Sequence, residues 1–173
     1  DVEMDLSTGF TFQPLPALTR GDIDLVITSD PEPRNGIHYV PLFSYESMLA
    51  ISRQHRLNAK KQIEPSDLSE ETLITYPVDQ NRLDLFTRFL DPASIEPHEI
   101  RTAELTVMMV QLVASGRGVA ALPNWALHEY LEKQFINAKS LGKEGLWCTL
   151  YAAIREEQKE SDFMLGIWIY GIF

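Results

Sequence analysis

Four histidines, one cysteine and 25 acidic residues are the groups in this 173-residue chain whose spacing decides which chemistry is open to it. His128-Glu129 begins like the HExxH zinc-protease pattern, but Glu132 stands where the second histidine would have to share a helical face. Asp79, Asn81 and Asp84 suggest a calcium loop until Leu83 is read at its fifth position, with no glycine at the sixth. Asp79 or Asn81 is better used as a helix cap. Gly116-Arg117-Gly118 resembles the opening of a dinucleotide fingerprint, yet the third glycine is missing and the order is helix then strand, the reverse of what a phosphate site needs. A helix stop explains it. No Gly-x-Ser-x-Gly elbow occurs, and His38, His55, His98 and His128 are well spread, so spacing names no acid–base pair and they read as surface residues. Cys148 stands alone, which excludes intrachain disulfides and CxxC sites and suits a reducing cytoplasm. The expectation is a non-enzyme without metal or resident cofactor.

What remains are residues that recognise without reacting. Thr28-Ser29-Asp30 ends an apolar run, so its hydroxyls and carboxylate either face a crevice, where they would hold an ammonium or hydroxyl, or cap the next turn. Tyr76-Pro77 ends another such run, offering an aromatic wall or else core packing and a turn. The net charge of -10 opposes a phosphate backbone, so the chain alone should not bind DNA. The densest basic run, Arg53 to Lys61, lacks aromatic interleaving and reads as a solvated connector. No apolar stretch reaches the roughly 18 residues needed to span a bilayer, and Phe163 to Phe173, apolar but short, is expected as a buried terminal element. No membrane partner is expected.

The elements that must position these groups alternate between two periods. Val2, Met4 and Leu6 alternate with polar residues as in a half-buried strand, and the chain opens into it at Asp1, as a segment of a longer protein would. Thr11 is placed to cap a helix with Pro14 in its first turn and Gly21 at its stop. Ile23 to Ile27 then reads as a strand covered on both faces in a parallel sheet, completing a βαβ unit. Past a loop at Pro31 to Gly36, Ile37–Val40 and Ser47–Ser52 are extended, Ser66 starts a short helix, and Leu73–Tyr76 is a strand. Leu83, Phe86 and Leu90 share one helical face, as do Leu105, Met108, Met109 and Leu112 before the Gly116 stop. Val119–Leu122 is the next strand, Pro123 opens the helix carrying Trp125 and Leu131, and Leu146–Ile154 is a long strand.

Two βα series joined by two long extended segments predict an α/β protein of two Rossmann-like lobes linked by two crossover strands. Residues 1–46 with 155–173 form lobe I and residues 47–154 form lobe II, with ligands expected at the strand ends in the crevice. Four segments, in order across nearly the whole chain, carry a resemblance. Gly21-Asp22-Ile23-Asp24-Leu25-Val26-Ile27, the crossover Ser47 to Leu57 with its His55-Arg56-Leu57 turn, Pro65-Ser66-Asp67-Leu68, and Val113 to Pro123 with Gly116-Arg117-Gly118 resemble the sensing domain of LysR-type transcription regulators. Arg56 replaces the proline usual in that turn.

The resemblance implies a periplasmic-binding-protein-like fold of type 2, in which this chain lacks the family's first strand and helix. It also implies a winged helix-turn-helix on a segment outside this chain as the means of binding DNA, and self-association as a dimer or tetramer. Leu73 to Val78, Asn81 to Asp84 and Leu141 to Trp147 further resemble the branch regulating methionine biosynthesis, which implies homocysteine as co-inducer in the interlobe cleft. Carried over residue by residue, the family's ligand contacts fall on Gly9 and Phe10, on Thr28, Ser29 and Asp30, on Tyr45, and on Tyr76 and Pro77. Backbone N–H groups near Gly9 and Phe10 would take the carboxylate, Asp30 or a hydroxyl the ammonium, and the rings would bracket the thiol-bearing chain. A sensor of another small amino acid or sulfur metabolite is the alternative within the family, and a periplasmic small-ligand binding protein the alternative outside it.

Overall fold

A computed structural model describes Asp5, Ser7 and residues 13–160 of the chain. The chain divides into two compact units, Asp1–Phe43 with Thr149–Phe173, and Ser44–Cys148. Val2, Met4, Leu6, Gly9, Phe10, Thr11 and the segment Phe163–Phe173 lie outside the described residues.

In the first unit, helix α1 (Pro14–Arg20) starts on prolines, whose fixed φ suits a first helical turn, and stops at Gly21 in the left-handed region, φ 83°. Its cap residue is Gln13, with no side-chain bond, rather than the Thr11 expected. Leu15, Ala17 and Leu18 are buried. Arg155 satisfies the carbonyl groups at the helix end, donating to Leu18 O at 2.9 Å and Ile23 O at 2.8 Å, and its other nitrogen pairs with Asp24 at 2.6 Å. That ion pair, through its hydrogen bond to Arg155, holds the Asp24 carboxyl below its ordinary range.

Strand β1 (Val26–Thr28) corrects the expectation of a fully covered parallel strand over Ile23–Ile27. It is shorter and its partner, the strand Leu146–Arg155, runs antiparallel with Val26 opposite Ala153. Ile27 faces outward, 41% exposed, so the apolar run marks no doubly buried strand. β2 (Ile37–Ile51) is one continuous strand where two segments were expected, and it and the long strand Leu146–Arg155 are the two that pass between the units.

In the second unit, β3 (Thr72–Thr75) and β4 (Glu99–Thr102) pair in parallel, and Leu73 bridges in parallel to Val119, at the head of β5 (Ala120–Pro123). β5 runs antiparallel to β2, with Ser47 opposite Pro123, and β6 (Asn137–Ser140) pairs with β2 beside it, Met48 opposite Ser140. The last strand, β7 (Leu146–Arg155), closes the described sheet order β1-β7-β2-β5. Helices α2 (Thr106–Ala114) and α3 (Asn124–Glu132) flank β5 in sequence, and Ile74, Val110, Val113, Leu122 and Leu127 make the dry centre.

Two helical readings need correction. α2 buries Met109, Val110 and Val113, whereas Leu105 and Met108, expected inside, are 57% and 51% exposed. Nearly every residue of the helix is apolar, so a period of three and four fits more than one face and cannot say which is inward. Leu85–Leu90 is a π-helical turn, whose wider winding buries Leu85 together with Phe86 and Leu90 and leaves Leu83 half-buried.

Candidate functional site

Because β3, β4 and β5 point the same way, their carboxyl ends share one edge of the second unit, and the pairing of Ser47 with Pro123 brings the middle of β2 to that edge. Parallel strands present ligand groups at their carboxyl ends. Tyr76 and Pro77 follow β3 directly, and Tyr45 lies two residues before Ser47, so the sheet register collects these three predicted residues at one edge. Tyr76 is half-buried against the core, and Pro77 is exposed. The Tyr76 hydroxyl lies 2.6 Å from Oγ1 of Thr106, the first residue of α2. The backbone N–H of Ala103 donates to Thr75 O at 2.9 Å, tying the loop after β4 to the end of β3. Thr106 was missed in the sequence because a threonine at a helix start reads as a local cap; its partner is thirty residues away in the chain.

Tyr45 is buried, and beside it stands Cys148. Burial first, and then the Asp84 carboxylate, push the Cys148 thiol up to about 12. Arg88 pairs with Asp84 at 3.3 Å and donates to Trp147 O at 2.8 Å, so the π-helical turn is fastened to the start of β7.

In the first unit, the turn reading of Thr28-Ser29-Asp30 prevails for the threonine. Its hydroxyl accepts from the Asp30 N–H at 3.1 Å and donates to Asp30 O at 3.3 Å. Ser29 is exposed and Asp30 half-buried. Negative charge gathers after β1. Burial, followed by the Glu32 and Asp30 carboxylates, raises the Tyr39 hydroxyl above its ordinary range, and that hydroxyl donates to Glu32 O at 2.7 Å. Gly9 and Phe10 lie outside the described residues.

The basic run Arg53 to Lys61 is not a solvated connector, and His55 is not a plain surface residue. His55 Nε2 lies 3.1 Å from Glu71 Oε2, Arg56 lies 2.8 Å from Glu71 Oε1, and Lys60 bonds to Asp67. Burial alone would raise Asp67, but Lys60, the Glu64 N–H and Arg56 outweigh it and hold the carboxyl below its usual range. Sequence spacing cannot show this, because the carboxylates come from a later turn, Pro65–Leu68, and the residues after it. His128 does stay at the surface, 3.4 Å from Glu132. Among the described residues no three His, Cys, Asp or Glu side chains group as metal ligands, and no helix is long and apolar enough to cross a membrane.

This arrangement of parallel strand ends, aromatic rings and paired hydroxyls suits binding, and comparison with known proteins says of which kind. The HTH-type transcriptional regulator MetR of Escherichia coli K12 is 46% identical over 160 residues, covering 92% of this chain and 50% of the regulator. MetR of Buchnera aphidicola is 39% identical over 173 residues, 99% of this chain and 54% of the regulator. The chain thus spans about half the length of the curated relatives it matches. Among solved structures, the regulatory domain of the LysR family regulator MetR from Neisseria meningitidis aligns with TM-score 0.80 and 42% identity, over 95% of this chain and 76% of that one. The effector binding domain of a BenM variant, 21% identical with TM-score 0.71 over 97% of this chain and 80% of that one, shares the mixed α/β fold. These relatives are transcription regulators, not enzymes. The LysR substrate binding domain matches residues 1–164, and this chain belongs to that family.

Proposed function

We propose that this chain is the effector-sensing part of a transcription regulator of methionine biosynthesis, with homocysteine as co-inducer. The identity with the MetR regulators across nine-tenths of the chain carries this reading. The proposed contacts are Gly9, Phe10, Thr28, Ser29 and Asp30 in the first unit and Tyr45, Tyr76 and Pro77 in the second. Their chemistry suits a small zwitterion: carboxylates gathered after β1 favour an ammonium, and the rings of Tyr76 after β3 and Tyr45 within β2 favour a short sulfur-bearing chain. Asp30 receives the ammonium in this assignment, since the Thr28 hydroxyl already serves the turn.

The ligand acts by binding one arrangement of the protein better than another, which shifts the population towards it. DNA is contacted by a helix-turn-helix on a segment outside this chain, in the cytoplasm. The chain itself, with a net charge of -10, adds repulsion rather than affinity towards phosphate. Self-association uses the outward face of α2, where Val107 and Met108 are exposed, together with Leu105 just before the helix.

Titration calorimetry on the protein as its gene encodes it tests the ligand. L-Homocysteine is expected to bind, and Asp30→Asn to weaken it about tenfold or more, as loss of a charge-assisted hydrogen bond does. Heat from a different amino acid with none from homocysteine overturns the ligand while leaving the family intact.

A further inference from the structure

We infer that Thr106 is a positioning residue, whose hydroxyl holds the Tyr76 ring in one orientation at the carboxyl edge of the second unit so that the ligand meets a fixed aromatic face. The inference rests on the amino-acid sensing proposed above and assigns a role to a residue that makes no proposed contact itself.

Three observations carry it. First, the Tyr76 hydroxyl and Thr106 Oγ1 are 2.6 Å apart, the distance of a well-formed hydroxyl–hydroxyl bond. Second, Thr106 is the first residue of α2 and not its cap: the cap position is Leu105, whose side chain has no polar atom. The Thr106 hydroxyl is committed to a residue thirty positions earlier, on the element that bears the candidate site. Third, the rest of Tyr76 is already restrained. The ring lies partly buried against the core cluster, the Tyr76 carbonyl accepts from the Val78 N–H at 2.9 Å, and Thr75 O accepts from Ala103 N–H at 2.9 Å. Backbone and ring packing place the side chain, and the hydroxyl bond removes the remaining freedom at its tip. A ring ordered before the ligand arrives is not ordered at the ligand's expense, which is how preorganisation raises affinity.

Thr106→Val keeps the branched shape and removes the hydroxyl. In calorimetry with L-homocysteine on the protein as its gene encodes it, Thr106→Val is expected to raise Kd about threefold to tenfold, the range of one neutral hydrogen bond. Thr106→Ser is expected to restore affinity, because it keeps the oxygen. Tyr76→Phe should lose as much as Thr106→Val, and the double variant no more than either single one, since the two act through one bond. Urea midpoints of all variants are measured alongside, and a shift in midpoint without a shift in Kd would show a purely structural bond and overturn the inference. So would a Kd for Thr106→Val within twofold of the parent, or additive losses in the double variant. If Thr106→Val does not fold, Tyr76→Phe decides by the same Kd criterion. Failure of the parent itself to bind homocysteine overturns the ligand reading, and this inference falls with it; binding by the parent with unaltered variants overturns the inference alone.

Discussion

The Cys148 side chain lies at the start of β7 among Asp84, Arg88 and Tyr45, and burial first, then Asp84, push its thiol up to about 12. A thiol reacts as thiolate, so this one is protonated throughout the physiological range. Iodoacetamide at pH 8 is expected to alkylate it more than roughly a hundredfold more slowly in the folded protein than in urea, given an unperturbed cysteine near 8.5. Mass spectrometry of timed samples reads the rate, and equal rates in both states would sink the assignment. At this scale the sequence was informative about residue types and poor about partners. Thr28 and Asp30 were legible as a turn or a site because both readings are local, and in the fold the hydroxyl serves the turn. The partners of Tyr76, His55 and Cys148 lie 30, 16 and dozens of positions away, and no spacing rule reaches that far.

Among elements, β3 and the segment entering β5 run against each other closely. Val119 N–H donates to Thr72 O at 2.9 Å and Ile74 N–H to Val119 O at 2.8 Å, and a Cβ on Gly118, at φ +154°, would stand 2.5 Å from Thr72 O. Gly118→Ala is therefore expected to destabilise the protein by about 1–3 kcal/mol, as backbone strain of this kind does. Gly116, at φ +71° with open space around it, bears only the left-handed penalty, so Gly116→Ala should cost about 1–2 kcal/mol or less. Urea denaturation of both variants compares them, and a Gly118→Ala loss no larger than that of Gly116→Ala contradicts the close approach. The Gly-x-Gly signal was thus readable as non-catalytic from order alone. That its second glycine lets one strand run against another could be read only from the fold.

For the molecule as a whole, the self-association proposed above would use α2, whose Val107 and Met108 are exposed together with Leu105 just before the helix. Leu105→Glu with Met108→Glu is expected to weaken self-association roughly tenfold or more, because facing copies would then oppose like charges in a desolvated patch. Sedimentation equilibrium measures the mass, and circular dichroism confirms that the helix persists. An unchanged dissociation constant would place association elsewhere on the protein. Net charge belongs to this scale too: an acidic chain of -10 repels a phosphate backbone on average, which is legible in composition alone.

The sequence by itself determined the family and the α/β class. Each of these is written in short-range patterns: periodicity, caps, glycine stops and ordered motifs. Tertiary structure alone decided that β1 pairs antiparallel with β7, that α2 buries Met109 and Val110 while exposing Met108, and that Thr106 holds Tyr76. The physical reason is common to all three. A residue's type fixes what it can bond to or bury against, but which of several equivalent faces or partners it meets depends on elements brought together from far along the chain.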